Sequence, residues 1–100
     1  MITFAWYPPI LSDQVAQKYL EVLQKYPIPS YVKRIVPAAT SSGKKGIEAI
    51  TVDEAKEADM GKLLNYMVTA MVEFREFEAF RYEIRVFLTV ADALKLIGLG

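Results

Sequence analysis

The apolar residues between Met60 and Leu88 change their spacing partway along, from that of a helix to that of a strand. In the first part they recur every three or four residues, as on one side of an α-helix: Met60, Leu64, Met67, Met71 and Phe74. In the second part an alternation typical of a strand joins two sets: Tyr82, Ile84, Val86 and Leu88, and Arg81, Glu83, Arg85 and Phe87. The chain must therefore fold so that a helix and the following strand cover each other's apolar sides.

The length and the apolar content predict one small domain with a partner. Residues 1–100 are read as a single domain, since domains of about 100–150 residues are the commonest. Hydrophobic residues make up 53% of the chain, above the roughly 45–50% of ordinary soluble domains. We expect part of this apolar surface to lie against another subunit, the alternative being a very apolar monomer core.

The residue types exclude several classes of chemistry. Lys+Arg and Asp+Glu number 12 each, so no net charge favours nucleic acid or an acidic membrane surface. The chain has no histidine and no cysteine, which removes the usual near-neutral acid/base and thiolate chemistry. The lack of cysteine, of a recognisable targeting signal and of an apolar run long enough to span a membrane predicts a cytoplasmic protein.

The remaining elements follow from local patterns. A first strand is predicted at Ile2 to Tyr7, and a helix from Ser12 that Pro27 ends. A second strand at 31–40 and a third at 46–52 flank a hairpin at Gly43 and Gly46, with Lys44 and Lys45 at its tip. The long helix is expected to begin near Thr51 or Asp53, with a break at 59–61. A fourth strand is predicted at 80–88, then a short helix capped by Thr89 and stopped by Gly98.

This βαββαβ order is typical of the ferredoxin-like fold, in which two helices cover one face of a four-stranded antiparallel sheet. With its length, its apolar excess and its short C-terminal helix, the chain resembles the dimeric α+β barrel superfamily. The resemblance implies a homodimer, or a larger assembly, in which two sheets pair through their open faces. Members of that superfamily include cofactor-independent monooxygenases, haem-degrading enzymes, lactone isomerases and amino-acid-sensing regulator domains.

Two groups of site residues are predicted. On the resemblance, Trp6, Tyr7, Asn65 and Tyr66 are the nearest residues to a pocket for a small aromatic or anionic ligand, although Trp6 and Tyr66 also suit packing. A row on the open sheet face is assigned to the subunit interface: Arg81, Glu83, Arg85 and Phe87. The charged members of this row suit either an anion grip or a salt-bridge ladder, and their alternating signs favour the ladder.

No catalytic residue, cofactor or metal site is predicted. Glu73, Glu76 and Glu78 could be imagined around a hard cation, but surface solvation explains them better. The predicted function is a non-catalytic binding or assembly module. The alternative is a cofactor-independent oxygenase or isomerase with an aromatic-lined pocket between sheet and helices, and a third possibility is a ligand-sensing domain that acts through a partner.

Overall fold

The computed structural model describes residues 1–44 and 46–100, which form an α+β structure with four strands and three α-helices. In chain order these are β1 (Ile2–Tyr7), α1 (Ser12–Lys25), β2 (Lys33–Gly43), β3 (Gly46–Glu54), α2 (Met60–Val72), β4 (Arg81–Arg85) and α3 (Val90–Leu96). Short 3₁₀ turns precede α1 and α2 and follow α2, at Pro9–Leu11, Glu57–Asp59 and Glu73–Glu76. The predicted α+β class, four-stranded antiparallel sheet and short C-terminal helix are confirmed.

The strands form one antiparallel sheet in the order β2-β3-β1-β4. The most apolar pair of strands, β1 and β3, therefore lies at its centre. Each long helix connects two strands that are not neighbours: α1 joins β1 to β2, and α2 joins β3 to β4. Both helices pack on the same side of the sheet, where Val15 and Val22 of α1 and Leu63 and Met67 of α2 join Ala5 of β1 in the buried core.

The two faces of the sheet differ in the size of their side chains. Residues paired across antiparallel strands share a face, and Thr3 pairs with Thr51 and Ile84, while Ala5 pairs with Ala49. The face against the helices is therefore built largely from small residues. The opposite face, called the open face below, carries larger and half-buried apolar side chains at the centre: Ile2, Phe4, Trp6, Ile50 and Val52.

The first strand and the hairpin agree with the sequence prediction, and Gly43 pairs with Gly46. Lys44 follows β2 and is exposed, while Lys45, the other predicted tip residue, lies outside the described residues. The predicted helix start at Thr51 or Asp53 is wrong, because β3 continues to Glu54. Both side chains have partners within the sheet: Thr51 Oγ1 donates to the Pro37 carbonyl at 2.9 Å, and Asp53 binds Arg34.

The start of α2 explains a second correction. The helix begins at Met60, after the 3₁₀ turn at Glu57–Asp59 where a break was expected. Its buried side is formed by Leu63, Met67, Ala70 and Met71, so the predicted stripe is correct at Met67 and Met71 and wrong at Leu64, which is 42% exposed. Because the stripe had been extrapolated through Gly61, it took the neighbour of the fully buried Leu63.

Two helix starts show opposite outcomes. Ser12 was expected to cap α1, but it is the first residue of that helix and its hydroxyl donates back to the Pro9 carbonyl at 2.7 Å. Thr89 caps α3 as predicted, its hydroxyl accepting from the backbone N–H of Asp92 at 3.1 Å. Gly98 follows α3 with a φ of +79°, a conformation that favours glycine at the end of a helix.

The last strand is shorter than predicted. β4 ends at Arg85, so Val86 and Leu88 do not continue the alternation. Residues 86–100, called the C-terminal arm below, are all exposed, including α3. Across the described ranges, none of the helices has the length and apolar character needed to cross a lipid bilayer.

Candidate functional site

A cavity of about 370 Å³ lies between the sheet and the two long helices. Its floor is the helix-facing side of the sheet, where three strands contribute only alanine and threonine: Thr3, Ala5, Ala38, Thr40, Ala49 and Thr51. Small side chains cannot fill the layer between a sheet and helices packed on it, so a space is left there. The volume falls within the roughly 300–1,000 Å³ of small-molecule sites in proteins.

The walls of the cavity are apolar. Side chains of α1 and α2 face each other across it: Val15, Leu23, Met67, Ala70 and Met71. One end is formed by aromatic rings, with Phe80 stacked on Phe74 at a centroid distance of 4.7 Å and on Tyr7 at 5.8 Å. A flat, mostly apolar molecule is the kind of ligand such walls accommodate.

A buried ion pair contributes a polar group to the lining. Arg34 of β2 donates from Nε to Asp53 Oδ1 at 2.7 Å and from Nη2 to Asp53 Oδ2 at 3.1 Å. The Arg34 and Asp53 side chains are 8% and 1% exposed, so the pair is shielded from solvent. This two-point geometry neutralises the guanidinium charge on its own carboxylate. Arg34 therefore presents N–H groups to the cavity without a free positive charge.

Two tyrosines of the lining are kept in their neutral form. Burial raises the pKa of the Tyr7 phenol. Burial also raises the pKa of the Tyr66 phenol, and the nearby Arg34 guanidinium opposes part of that rise. The Tyr66 hydroxyl donates to the Tyr26 carbonyl at 2.8 Å, which ties α2 to the end of α1. Both phenols are consequently hydrogen-bonding groups at neutral pH and not bases.

The hydroxyl of Thr3 stands out among the polar atoms of the lining. Thr3 is 4% exposed, and its Oγ1 is buried without a hydrogen-bond partner among residues 1–44 and 46–100. A buried polar group left in this state costs about 1–3 kcal/mol. A polar group that reaches Thr3 from the cavity would recover part of that cost.

The structure brings two of the four predicted pocket residues together. Tyr7 and Tyr66 both line the cavity. Trp6 lies on the open face, where its Nε1 donates to Glu48 Oε2 at 2.7 Å and its ring stacks on Phe4 at 6.0 Å. Asn65 is exposed on the outer side of α2, and its backbone carbonyl accepts from Thr69 Oγ1.

The predicted interface residues form a row beside the open face. Arg81 and Glu83 pair with Trp6 and Phe4 of β1, and all three charged residues of the row are exposed. Arg85 Nε lies 3.9 Å from Glu83 Oε1, and its guanidinium lies 6.0 Å from the Phe4 ring and 5.0 Å from the Phe87 ring. Their contact with a second subunit stays a prediction.

The glutamates after α2 bind lysines of α1. Glu73 accepts from Lys25 at 2.6 Å, and Glu76 forms an ion pair with Lys18. Within the described ranges no three carboxylates come together in a way that could hold a metal ion.

Fold and site together define an α+β protein with a largely apolar cavity enclosed by its sheet and two helices. Neither a protein-family model, nor a curated protein, nor a solved structure matches this chain. The chemistry of the cavity is therefore inferred from its own residues.

Proposed function

We propose that this protein is a non-catalytic binding module that holds a small, mostly apolar molecule with one hydrogen-bonding group in the cavity between sheet and helices. The observation that carries the proposal is the buried Thr3 hydroxyl, which has no partner among the described residues and belongs to the wall of an apolar cavity. A native protein rarely keeps such a group unsatisfied without a reason.

The cavity sets limits on the ligand. At about 370 Å³ it corresponds to roughly a dozen water volumes of about 30 Å³ each, so the ligand has on the order of one or two rings. Aliphatic and aromatic walls favour a flat apolar body. Because Asp53 already neutralises Arg34, a neutral group such as a hydroxyl or a carbonyl fits better than a full negative charge.

We also propose a ferredoxin-like arrangement that assembles as a homodimer, in the manner of a dimeric α+β barrel. The strand order β2-β3-β1-β4 supports this, as do the two helices that connect non-neighbouring strands on one side of the sheet. The open face is half-buried and rich in large apolar side chains, which a second sheet would cover. In this arrangement Arg81, Glu83, Arg85 and Phe87 border the contact between the subunits.

The binding test pairs two ligands with two variants. The ligands are 1-naphthol and naphthalene, which differ by one hydroxyl, and the readout is the dissociation constant by calorimetry or fluorescence. Thr3→Val removes the hydroxyl that lacks a partner. Thr51→Val removes a neighbouring hydroxyl in the same floor that is already bound to Pro37. The second variant is therefore a control of the same chemistry and almost the same place.

We expect the native protein to bind 1-naphthol more tightly than naphthalene by about two- to tenfold, the range that one hydrogen bond of about 0.5–1.5 kcal/mol gives. This preference disappears in Thr3→Val and persists in Thr51→Val, while Thr51→Val alone lowers the stability of the unliganded protein. Absence of binding by both probes would contradict the proposal, as would a preference that survives in Thr3→Val.

The alternative prediction was a cofactor-independent oxygenase or isomerase. Such an enzyme needs a group that removes a proton from the substrate, with a pKa near neutrality. The phenols of Tyr7 and Tyr66 are shifted in the opposite direction by burial. The binding function is therefore the one that these side chains support.

A further inference from the structure

The C-terminal arm has an apolar surface that its own chain leaves uncovered. Every residue from 86 to 100 is exposed, and the large apolar ones reach 75% at Leu96, 68% at Ile97 and 72% at Leu99. We propose that this arm is an exchange element: in the homodimer proposed above, each copy packs its arm on the other copy.

The surface area of the chain supports a partner of this size. The accessible surface is 7051 Å², whereas a compact monomer of 11.3 kDa exposes about 5,700 Å². The excess is about 1,300 Å², and a standard interface buries about 800 Å² on each partner. The Cα radius of gyration is 15.0 Å against about 13 Å for a compact domain of 100 residues. The chain thus carries about the surplus that one dimer interface covers.

The arm continues the open face. The Arg85 guanidinium, at the end of β4, lies near both the Phe4 ring on the open face and the Phe87 ring at the start of the arm. Arg85 thereby joins the two apolar areas into one surface. A second copy seated on the open face would meet the arm as well.

A second copy is the occupant that this surface fits best. The same chain offers both a projecting apolar segment and a sheet face that can receive one, so a two-fold axis satisfies both in a closed dimer. The charges agree with this: Asp92 and Lys95 cancel within the arm, and the net charge of the chain is zero. No repulsion between like copies has to be overcome, and no strongly charged partner is favoured.

The test measures dimer dissociation of the full chain by sedimentation equilibrium, with small-angle scattering for the radius. Two arm variants, Leu96→Glu and Leu99→Glu, introduce a charge at exposed positions. Ile10→Glu is the matched control, because Ile10 is 86% exposed and lies beyond the opposite end of β1 from the arm. Circular dichroism checks that each variant is folded.

We expect the native chain to have twice the 11.3 kDa mass of one copy. Each arm variant should raise the dissociation constant at least tenfold, and Ile10→Glu should leave it within a factor of two. Phe4→Glu, a variant of the open face, should weaken the dimer too.

Other outcomes separate the two ideas. A dimer weakened by Phe4→Glu but not by the arm variants would overturn the exchange and leave the face-to-face dimer standing. A monomer with a radius near 13 Å would mean that the arm folds back on its own copy, and a monomer that binds phosphatidylcholine vesicles through Leu96 would make a bilayer surface its partner. Either monomer overturns both the exchange and the dimer, while the naphthol measurement tests the cavity independently.

Discussion

Gly46 is the residue whose backbone most restricts its replacement. It has a φ of +102°, where a side chain is strained, and an added Cβ would lie 2.9 Å from the Tyr7 carbonyl oxygen. We expect Gly46→Ala to lower the free energy of unfolding by about 1–3 kcal/mol, because the strain cannot be relieved without moving β1. Urea denaturation of the variant measures this loss.

Gly43, its partner across the hairpin, is the control for that measurement. Nothing lies within 4 Å of a Cβ added to Gly43, and its φ is not positive. Gly43→Ala should therefore change the stability by no more than about 0.5 kcal/mol. Equal effects of the two substitutions would contradict the role given to Gly46.

Single residues of the site were the hardest part to predict from the sequence. Tyr7 and Tyr66 were named because they are aromatic, whereas the Thr3 hydroxyl and the Arg34–Asp53 pair were missed. Counting outward from the hairpin at Gly43 and Gly46 would pair Asp53 with Val36. Two register shifts in β2 instead bring Arg34 opposite Asp53. Such irregularities depend on tertiary packing and leave no periodic signal in a sequence.

At the scale of elements, Glu73 fastens the end of α2 to the end of α1. Its Oε1 accepts from Lys25 at 2.6 Å and from the Tyr26 hydroxyl at 3.0 Å, and these hydrogen bonds, chiefly that from Lys25, hold the pKa of Glu73 below its usual range. A carboxylate with a lowered pKa in the folded state stabilises the fold above the unfolded-state pKa of about 4.3, and this stabilisation is lost as the pH falls through the folded-state pKa.

We therefore expect acidification from about pH 6 to about pH 3 to destabilise the native protein more than Glu73→Gln, since the variant has no carboxylate to protonate at this position. Thermal unfolding at each pH measures the difference. Glu78→Gln is the control, because Glu78 is exposed and forms no ion pair with any described residue. A pH profile of Glu73→Gln that matches the native profile would refute this role.

Element order was more accessible from the sequence than element boundaries. The strand at Ile2–Tyr7 has β-branched and aromatic residues and ends at a proline, so local chemistry determines it. β3 outlasted its prediction because Asp53 finds a buried partner in the sheet, which outweighs its preference for a helix start. β4 stops early although its alternation continues to Leu88, since alternation describes two faces and not the strand that must pair with them.

For the whole molecule, dimerisation would couple folding to concentration. If the folded state is a dimer, mass action stabilises it as the chain concentration rises, and the Tm should increase by roughly 3–6 °C for each tenfold increase. Scanning calorimetry over a hundredfold range of concentration measures this. A Tm that stays constant over the range would be evidence for a folded monomer.

The cavity is a property of the assembled molecule that no segment of the sequence announces. Its floor comes from three strands, in which alanine and threonine occupy the helix-facing positions of otherwise ordinary strand patterns. The prediction did put a pocket between sheet and helices, but its size follows from which strands become neighbours. That information lies in the topology.

The small side chains of this floor also have an evolutionary consequence. Changing Ala5 or Ala49 to valine would reduce the space for a ligand without touching a hydrogen bond, a charge or a helix contact elsewhere. A lineage carrying this fold can thus exchange one small guest molecule for another through single methyl-sized steps, while the helices and the sheet edges that hold the protein together stay as they are.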